Sequence, residues 1–418
     1  MLKLLYDFGM TLLALTWLPK AMRGKYKNSL KARLGLQLPK FDASKDGKIV
    51  WIHAVSMGET KAAAALAKEL QPFSRIIISS VTETGHEEAK RLIPFAEAHF
   101  FLPLDFSWTM RKYVRHFKPS LLVLVEGEFW YNLIDEAKAS GALVALVNGK
   151  LSERSEKRFA CLRWFSGALF SKIDIFCLQN ESYKKAFARF VPDEKLFVTG
   201  NLKFDMQIKT FSDQEKDEFR RKLGLKEDDF VLVLGSTHET EENMLLTSLH
   251  PLFDRIPNLV ILLVPRHPQR FDRVEEILKE KGLSYNRYTS ESAKRTQVVL
   301  IDTMGKLIDC FQLASIGILA GSFISGIGGH NLFEPAACGI PVLFGPYTEA
   351  QKAYAEALIG VHGGISLPAE EAGNQVFSLY QDSSLRKMMG HAAKELVQAS
   401  LGAAKKTLKI LESKTNVR

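Results

Sequence analysis

Residues 48–79 read KIVWIHAVSMGETKAAAALAKELQPFSRIIIS. The run opens on an apolar segment, KIVWIH (48–53), and closes on another, RIIIS (75–79). Between them ETKAAAALAKELQ sets Ala, Leu and Lys at helical spacing. A short continuous apolar segment bounded by turn residues is the mark of a strand buried on both faces. Strand, helix and strand in succession make a βαβ unit, whose two strands run parallel.

The pattern continues outward from this stretch. HFFL (99–102), LLVLVE (121–126), ALVALVN (142–148) and IDIFCLQ (173–179) are further buried strands separated by helical segments. After the charged helical stretch KTFSDQEKDEFRRKLGLKEDD the series restarts with FVLVLG (230–235), LVILLVP (259–265), QVVLID (297–302), IGILAG (316–321) and IPVLFG (340–345). The expected fold is therefore α/β, with two doubly wound parallel-sheet domains of Rossmann type facing a cleft. The length of 418 residues independently calls for two cores. The seam falls near 205–215. This gives an N-terminal segment 1–40, a first domain 41–210 and a second domain 211–418, with the last helix expected to pack back on the first domain.

Hydrophobic residues make up 46% of the chain and charged residues 25%, the balance of a soluble globular protein. Cys161, Cys177, Cys310 and Cys338 are widely spaced, in apolar contexts and without a CxxC pair. They read as small core residues of a reduced, cytosolic protein, and a structural zinc site is not expected. The net charge is +9, and between Phe8 and Phe41 there is no acid, while Lys20, Arg23, Lys25, Lys27, Lys31, Arg33 and Lys40 all occur. Just before them lies LLYDFGMTLLALTWLP (4–19), apolar apart from Asp7 and short for a spanning helix. It could be a short anchor, an interfacial helix or an ordinary domain helix. The adjoining basic run favours an anionic membrane surface. Nucleic acid is not expected as a partner, because no recognition motif accompanies the charge.

The chemistry-bearing residues cluster where strands end. WIHAVSMGET (51–60) brings Ser56, Gly58 and Glu59 to the start of a helix, where a carboxylate could deprotonate a hydroxyl or could merely cap. Thr82, Thr84 and Gly85 in SVTETGHEEAK form the next strand-to-helix turn, with Thr84 a possible cap. LLVLVEGEFW runs straight into Glu126, Gly127 and Glu128. A carboxylate buried there is costly without a partner, and Lys203 of GNLKFD is the candidate. In LGSTHETEE, Glu239, Glu241 and Glu242 read as complements to a helix dipole. Arg266, after Pro265 in LLVPRHPQRF, is placed to hold phosphate oxygens, with His267 assisting or only packing. Gly305 and Lys306 lie at another strand-to-helix passage, where Lys306 is either a ligand or a plain surface lysine. Finally GSFISGIGGHNLFEPAACGIPVLFGPYTE (321–349) offers a glycine-rich curl. His330 or Asn331 should start a helix whose N–H groups bind an anion, and Glu334 should receive ribose hydroxyls.

That last constellation resembles the donor half of GT-B glycosyltransferases. HAVSMGE, TETG, VEGEFW, GNLKFD, VPRHPQRF, DTMGKL and GGHNLFEP, in this order, resemble the 3-deoxy-D-manno-octulosonic acid (Kdo) transferases of lipopolysaccharide synthesis. The resemblance implies transfer of Kdo from CMP-Kdo to a lipid A precursor, on the cytoplasmic face of the inner membrane, with inversion and without a metal or other cofactor. It implies Glu59 as general base and Glu126 and Lys203 as transition-state stabilisers. It implies CMP contacts from Pro265, Arg266, Gly305, Lys306, Leu307, Asn331, Leu332, Phe333 and Glu334. Ser56, Gly58, Thr82, Thr84 and Gly85 are candidates for the acceptor side. Met57 departs from the commoner small aliphatic residue of the family. The alternatives are another GT-B enzyme, a UDP-sugar transferase or nucleotide-sugar 2-epimerase, and a membrane-bound nucleotide-sensing module without catalysis.

Overall fold

The computed structural model describes residues 2–23, 29–205, 210–290 and 294–414. The chain divides into two compact units, Met1–Met206 with Ser400–Arg418, and Gln207–Ala399. Each unit is built on a seven-stranded sheet in which every pairing is parallel.

The strands of the first unit are β1 (Ile49–His53), β2 (Arg75–Ser80), β3 (Ala98–Phe101), β4 (Leu121–Val125), β5 (Leu143–Gly149), β6 (Ile175–Leu178) and β7 (Leu196–Val198). Their order is β3-β2-β1-β4-β5-β6-β7. The chain winds outward from β1 to β3, then returns to lay β4 beside β1 and winds the other way. The order therefore reverses between β1 and β4, and the crevice outside their carboxyl ends is where an open α/β sheet receives ligands.

Both faces of this sheet are covered. On one side Trp51, Phe100, Phe117, Phe170 and Phe176 join an aromatic core. On the other, the helix Met57–Leu70 turns Ala62, Ala63, Leu66 and Ala67 inward. Its small side chains admit the final helix Ala403–Lys414, whose Ala403, Ala404, Leu408 and Leu411 enter the same core. Asp205 ties this helix down, accepting from the backbone N–H of Gly402 and of Ala404.

The helix Leu2–Arg23 is docked on the first unit by polar contacts. Asp7 accepts from Ser107 N at 3.0 Å, Ser107 Oγ at 2.6 Å and Asn132 Nδ2 at 2.8 Å. Lys3 pairs with Asp135 and Glu136. The opposite face leaves Leu4, Leu5, Phe8, Leu12, Leu13 and Leu15 exposed. No helix among the described residues is long and apolar enough to cross a membrane. Of the basic run, Lys25 and Lys27 lie outside the described residues. Arg33 is not a surface charge: it is buried over the Phe101 ring and bonded to Ser29 and Glu83.

The second unit contains β8 (Phe230–Thr237), β9 (Leu259–Pro265), β10 (Tyr285–Arg287), β11 (Val298–Leu300), β12 (Ile316–Leu319), β13 (Val342–Phe344) and β14 (Gly364–Ser366), in the order β10-β11-β9-β8-β12-β13-β14. Here the reversal lies between β8 and β12. Cys177 and Cys310 are buried as expected of core residues, but Cys161 is exposed. It ends the helix Glu153–Cys161, which buries none of its side chains, so the apolar neighbours in sequence do not enclose it.

Candidate active site

The first cluster stands at the reversal of the first sheet. Ser56 follows β1 and caps the helix Met57–Leu70, accepting from Glu59 N. Glu59, in the first turn, folds back over the helix start: Oε2 accepts from Val55 N at 2.8 Å and Oε1 from Ser56 Oγ at 3.0 Å. The carboxylate thus closes the helix start on itself, taking the N–H of the residue before the cap and the hydroxyl of the cap. This holds the carboxylate in one rotamer and leaves the residue 8% exposed. A helix N-terminus alone would favour ionisation, but burial, with the charge of Glu126 adding to it, pushes the Glu59 carboxyl above the ordinary glutamate range against the opposing bonds from Val55 and Ser56.

Glu126 follows β4. Its backbone stands at φ 68°, a left-handed conformation rare for a side chain of this kind. Its carboxylate is clamped by two ammonium groups, Lys203 Nζ on Oε1 at 2.5 Å and Lys150 Nζ on Oε2. Burial pushes the Glu126 carboxyl up, but Lys203 and Lys150 together overcome it and leave it below the ordinary range. Lys203 lies in the short 3-10 turn Leu202–Asp205, beyond β7. A methyl group on Gly58 would stand 3.8 Å from its Nζ, so the Glu59 loop and Lys203 are neighbours.

Three neighbours of this cluster were given no role from the sequence, Glu128 having been noted only as the acid after Glu126 and Gly127. Glu128 is driven up to about 7, by burial first and then by the charges of Glu59 and Glu126. Lys150 becomes visible only when β4 and β5 are placed side by side. Asn148, fully buried at φ 52°, accepts from Leu202 N at 2.9 Å and offers Nδ2 to Glu126 Oε1 at 3.4 Å. It cross-braces the two elements that carry Glu126 and Lys203.

The turn after β2 supports this loop. Thr82, and not Thr84, caps the helix Glu83–Leu92, accepting from Gly85 N, while its hydroxyl donates to Val55 O at 3.0 Å. Thr84 is exposed. Gly85 is required by close approach: a Cβ there would lie 3.0 Å from Val55 O and 3.1 Å from Ser56 C. Thr82 and Gly85 thus hold the Ser56–Glu59 loop in place.

The second cluster stands at the reversal of the second sheet. His238 follows β8 and the glycine-rich segment follows β12. Gly321, Gly326, Gly328 and Gly329 all adopt positive φ, as the curl requires. Glu241 is completely buried and is neither a ligand nor a mere dipole complement. It takes the backbone N–H of Gly321 at 2.8 Å, of Phe323 at 3.0 Å and of His238 at 3.1 Å. Glu242 is paired with Arg270 at 3.0 Å. Only Glu239 of the three acids is solvent-facing.

The expected anion-binding helix differs from its prediction. It begins at Phe333, two residues past Asn331, and runs only to Ala337. Five residues make little more than one turn, so few aligned peptide dipoles remain to attract a phosphate. Asn331 instead serves the turn, accepting from Phe333 N at 3.3 Å and donating to Glu334 Oε1 at 3.1 Å. Leu332 and Phe333 are buried beneath it. Arg266 is pinned at the end of β9, its N–H donating to Thr237 O at 3.0 Å. Gly305 has φ 82°, and Lys306 precedes the helix Leu307–Phe311 with its ammonium on Asp309 at 2.8 Å. Among the described residues no group of acids, histidines and cysteines is arranged to hold a metal ion.

Residues 28–206 match the family model described as 3-deoxy-D-manno-octulosonic-acid transferase (kdotransferase). The chain is 37% identical over 374 residues to a 3-deoxy-D-manno-octulosonic acid transferase of Chlamydophila psittaci, covering 87% of this chain and 85% of that one. It is 31% identical over 376 residues to a protein of the same name from Haemophilus influenzae, covering 87% and 86%. In fold it is similar to a glycosyltransferase from Rickettsia africae, with a TM-score of 0.62 over 88% of this chain and 99% of that one, at 13% identity. Two parallel α/β sheets, each with a cluster of charged and polar residues at its strand reversal, and this degree of identity along most of the chain place the protein in the 3-deoxy-D-manno-octulosonic acid transferase family of GT-B glycosyltransferases.

Proposed function

We propose that the protein transfers Kdo from CMP-Kdo to a lipid A precursor in lipopolysaccharide synthesis, in one inverting displacement with Glu59 as general base. The acceptor hydroxyl oxygen attacks the anomeric carbon of Kdo, and its proton passes to Glu59. The bond from that carbon to the phosphate oxygen breaks, and its electron pair leaves with CMP. The observation that carries this reading is the buried, pre-oriented Glu59 carboxylate beside the Lys150–Glu126–Lys203 clamp. Such a group holds a proton acceptor in one place and, by its raised affinity for the proton, makes a stronger base than an exposed glutamate.

In this reading Glu126 and Lys203 stabilise charge as the anomeric carbon loses its leaving group. Pro265, Arg266, Gly305, Lys306, Leu307 and the segment Asn331–Glu334 hold CMP, with Arg266 and Lys306 offsetting the charge that develops on phosphate. We take these cations to replace a metal, so that no metal or other cofactor takes part. The exposed apolar face of the helix Leu2–Arg23 supports a place on the cytoplasmic face of the inner membrane, where the lipid acceptor is reached by a helix lying in the interface. The test is to incubate purified protein with CMP-Kdo and lipid A precursor and read product mass. The expected gain is one or more Kdo residues. Turnover with UDP-sugars and none with CMP-Kdo would overturn the reading in favour of another GT-B activity.

A further inference from the structure

His238 and His330 meet through their Nε2 atoms at 2.7 Å. Their ring centroids lie 5.0 Å apart at an interplanar angle of 11°. That centroid separation is the nitrogen–nitrogen distance plus one ring radius at each end. The rings are therefore nearly coplanar and head to head, joined by an in-plane N–H···N bond. Two lone pairs or two N–H groups would repel at this distance, so one ring donates and the other accepts.

The pair is a built feature. A single buried carboxylate, Glu241, takes the N–H of His238 and the N–H of Gly321, and so sets both segments that carry the rings. Gly321 also leaves the room that His330 needs, since a Cβ there would lie 2.6 Å from His330 Cδ2. The titratable and charged groups facing the pair are Arg266 and His267 from the end of β9, Arg270 from the turn Pro268–Arg270, and Glu241 and Glu242 from the helix Glu241–Leu249. Both acids are engaged, Glu241 by backbone N–H groups and Glu242 by Arg270, so the surroundings seen by the rings are cationic.

We propose that the His238–His330 pair is a proton-accepting part of the donor site, taking up one proton when a phosphate-bearing nucleotide binds beside Arg266. The proton would enter at Nδ1 of the donating ring. That ring becomes an imidazolium and keeps its bond to the neighbour, now strengthened by charge. Burial first, and then the neighbouring cations and imidazoles, hold both rings below the ordinary histidine range, His330 at about 4. A bound phosphate neutralises Arg266 and reverses the sign of the local field, and the pair then offers a positive charge to the leaving group. The inference rests on the donor reading of this unit given above.

The experiment is calorimetry of CMP and of UMP binding between pH 6 and 8 in buffers of different ionisation enthalpy, with wild type, His238→Gln, His330→Gln and the double variant. The nucleotide's own phosphate titrates near about 6 and contributes to every form alike, so the difference between forms isolates the pair. Wild type is expected to take up more protons than the double variant, by up to one per nucleotide, and cytidine, which lacks the phosphate, should cause no uptake. Equal uptake by all forms that bind CMP would overturn the inference. So would uptake with cytidine in wild type, a measurement that needs no variant to fold. Uptake with UMP but no binding of CMP would leave the pair standing and sink the CMP reading. Binding of neither nucleotide would sink both.

Discussion

Replacing Glu59 by Gln separates its two roles. The amide oxygen can still accept from Val55 N, and the amide nitrogen can donate to Ser56 Oγ, so both contacts of the helix start survive. Only the capacity to take a proton is lost. General base catalysis is worth about 10²–10⁴-fold, or roughly 2.7–5.4 kcal/mol of barrier, so transfer should fall by that factor while CMP binding stays unchanged. Glu59→Ala loses the base and also strips Val55 N and Ser56 of their partner, which should cost about 1 kcal/mol of stability in addition. All five tryptophans (Trp17, Trp51, Trp108, Trp130, Trp164) lie in the first unit, so tryptophan fluorescence during urea unfolding reads that unit alone. The assay is the initial rate of Kdo transfer across pH. In wild type the rate should rise with pH along a limb above the ordinary glutamate range, because burial raises the Glu59 carboxyl and it must ionise before it can accept a proton. That limb should vanish in Glu59→Gln. Transfer within tenfold of wild type, or an unchanged limb, would refute the assignment of the base.

The other carboxylates of the cluster give further tests. Lys150→Met removes a cation that lowers Glu59, Glu126 and Glu128, so the acid limb of transfer should move to higher pH, and Lys150→Arg should bring it back; an unmoved limb would deny Lys150 this part. Asn148→Ala leaves the buried Leu202 N–H without its acceptor and puts alanine into a left-handed backbone, an expected loss of about 2–4 kcal/mol by tryptophan-detected urea unfolding, with Asn148→Gly recovering the backbone part. Glu128→Gln tests linkage. The native carboxyl titrates at about 7 against 4.5 in the unfolded chain, so the native state keeps a proton that the unfolded state releases, and wild type loses stability as pH rises through that window. The variant does not titrate there, so its stability relative to wild type should increase from pH 5 to pH 8.

The sequence displayed the interior strands because each is enclosed by two neighbours and two helix layers, which leaves a continuous apolar run such as FVLVLG or LLVLV. It did not display Leu196–Val198, Tyr285–Arg287 or Gly364–Ser366. Each of these lies at a sheet edge, has three residues and pairs with one strand, so little apolar signal is needed to hold it. The same reason governs the site. Glu126 and Arg266 stood out because each directly follows a buried run, where a charge is conspicuous, and Glu59 because it sits in the first turn of the helix that follows one. Lys150 and Asn148 were not, because nothing local marks them. Their meaning comes from β5 lying beside β4, and from Leu202 lying over Asn148. His238 and Glu241 were hidden likewise, since their partners at Gly321 and His330 are some eighty or ninety residues away in sequence.

The two sheets reverse at equivalent places yet present opposite chemistry there. At β1 and β4 the first unit gathers Glu59, Glu126 and Glu128, tempered by Lys150 and Lys203. At β8 and β12 the second gathers Arg266, Arg270 and two imidazoles, its acids already spent on backbone N–H groups and on Arg270. In the proposed reaction a carboxylate accepts the hydroxyl proton, and arginine offsets the charge on the leaving phosphate. Raising Glu59 by burial has the same logic. A carboxylate made a stronger base by its neighbours must be kept from pairing with a cation of its own, and Glu126 absorbs both nearby lysines. The doubly paired Glu126 thus leaves Glu59 bonded only to Val55 N and Ser56 Oγ among the contacts of its carboxylate described above, which hold it in place and lower its basicity by less than burial and the charge of Glu126 raise it.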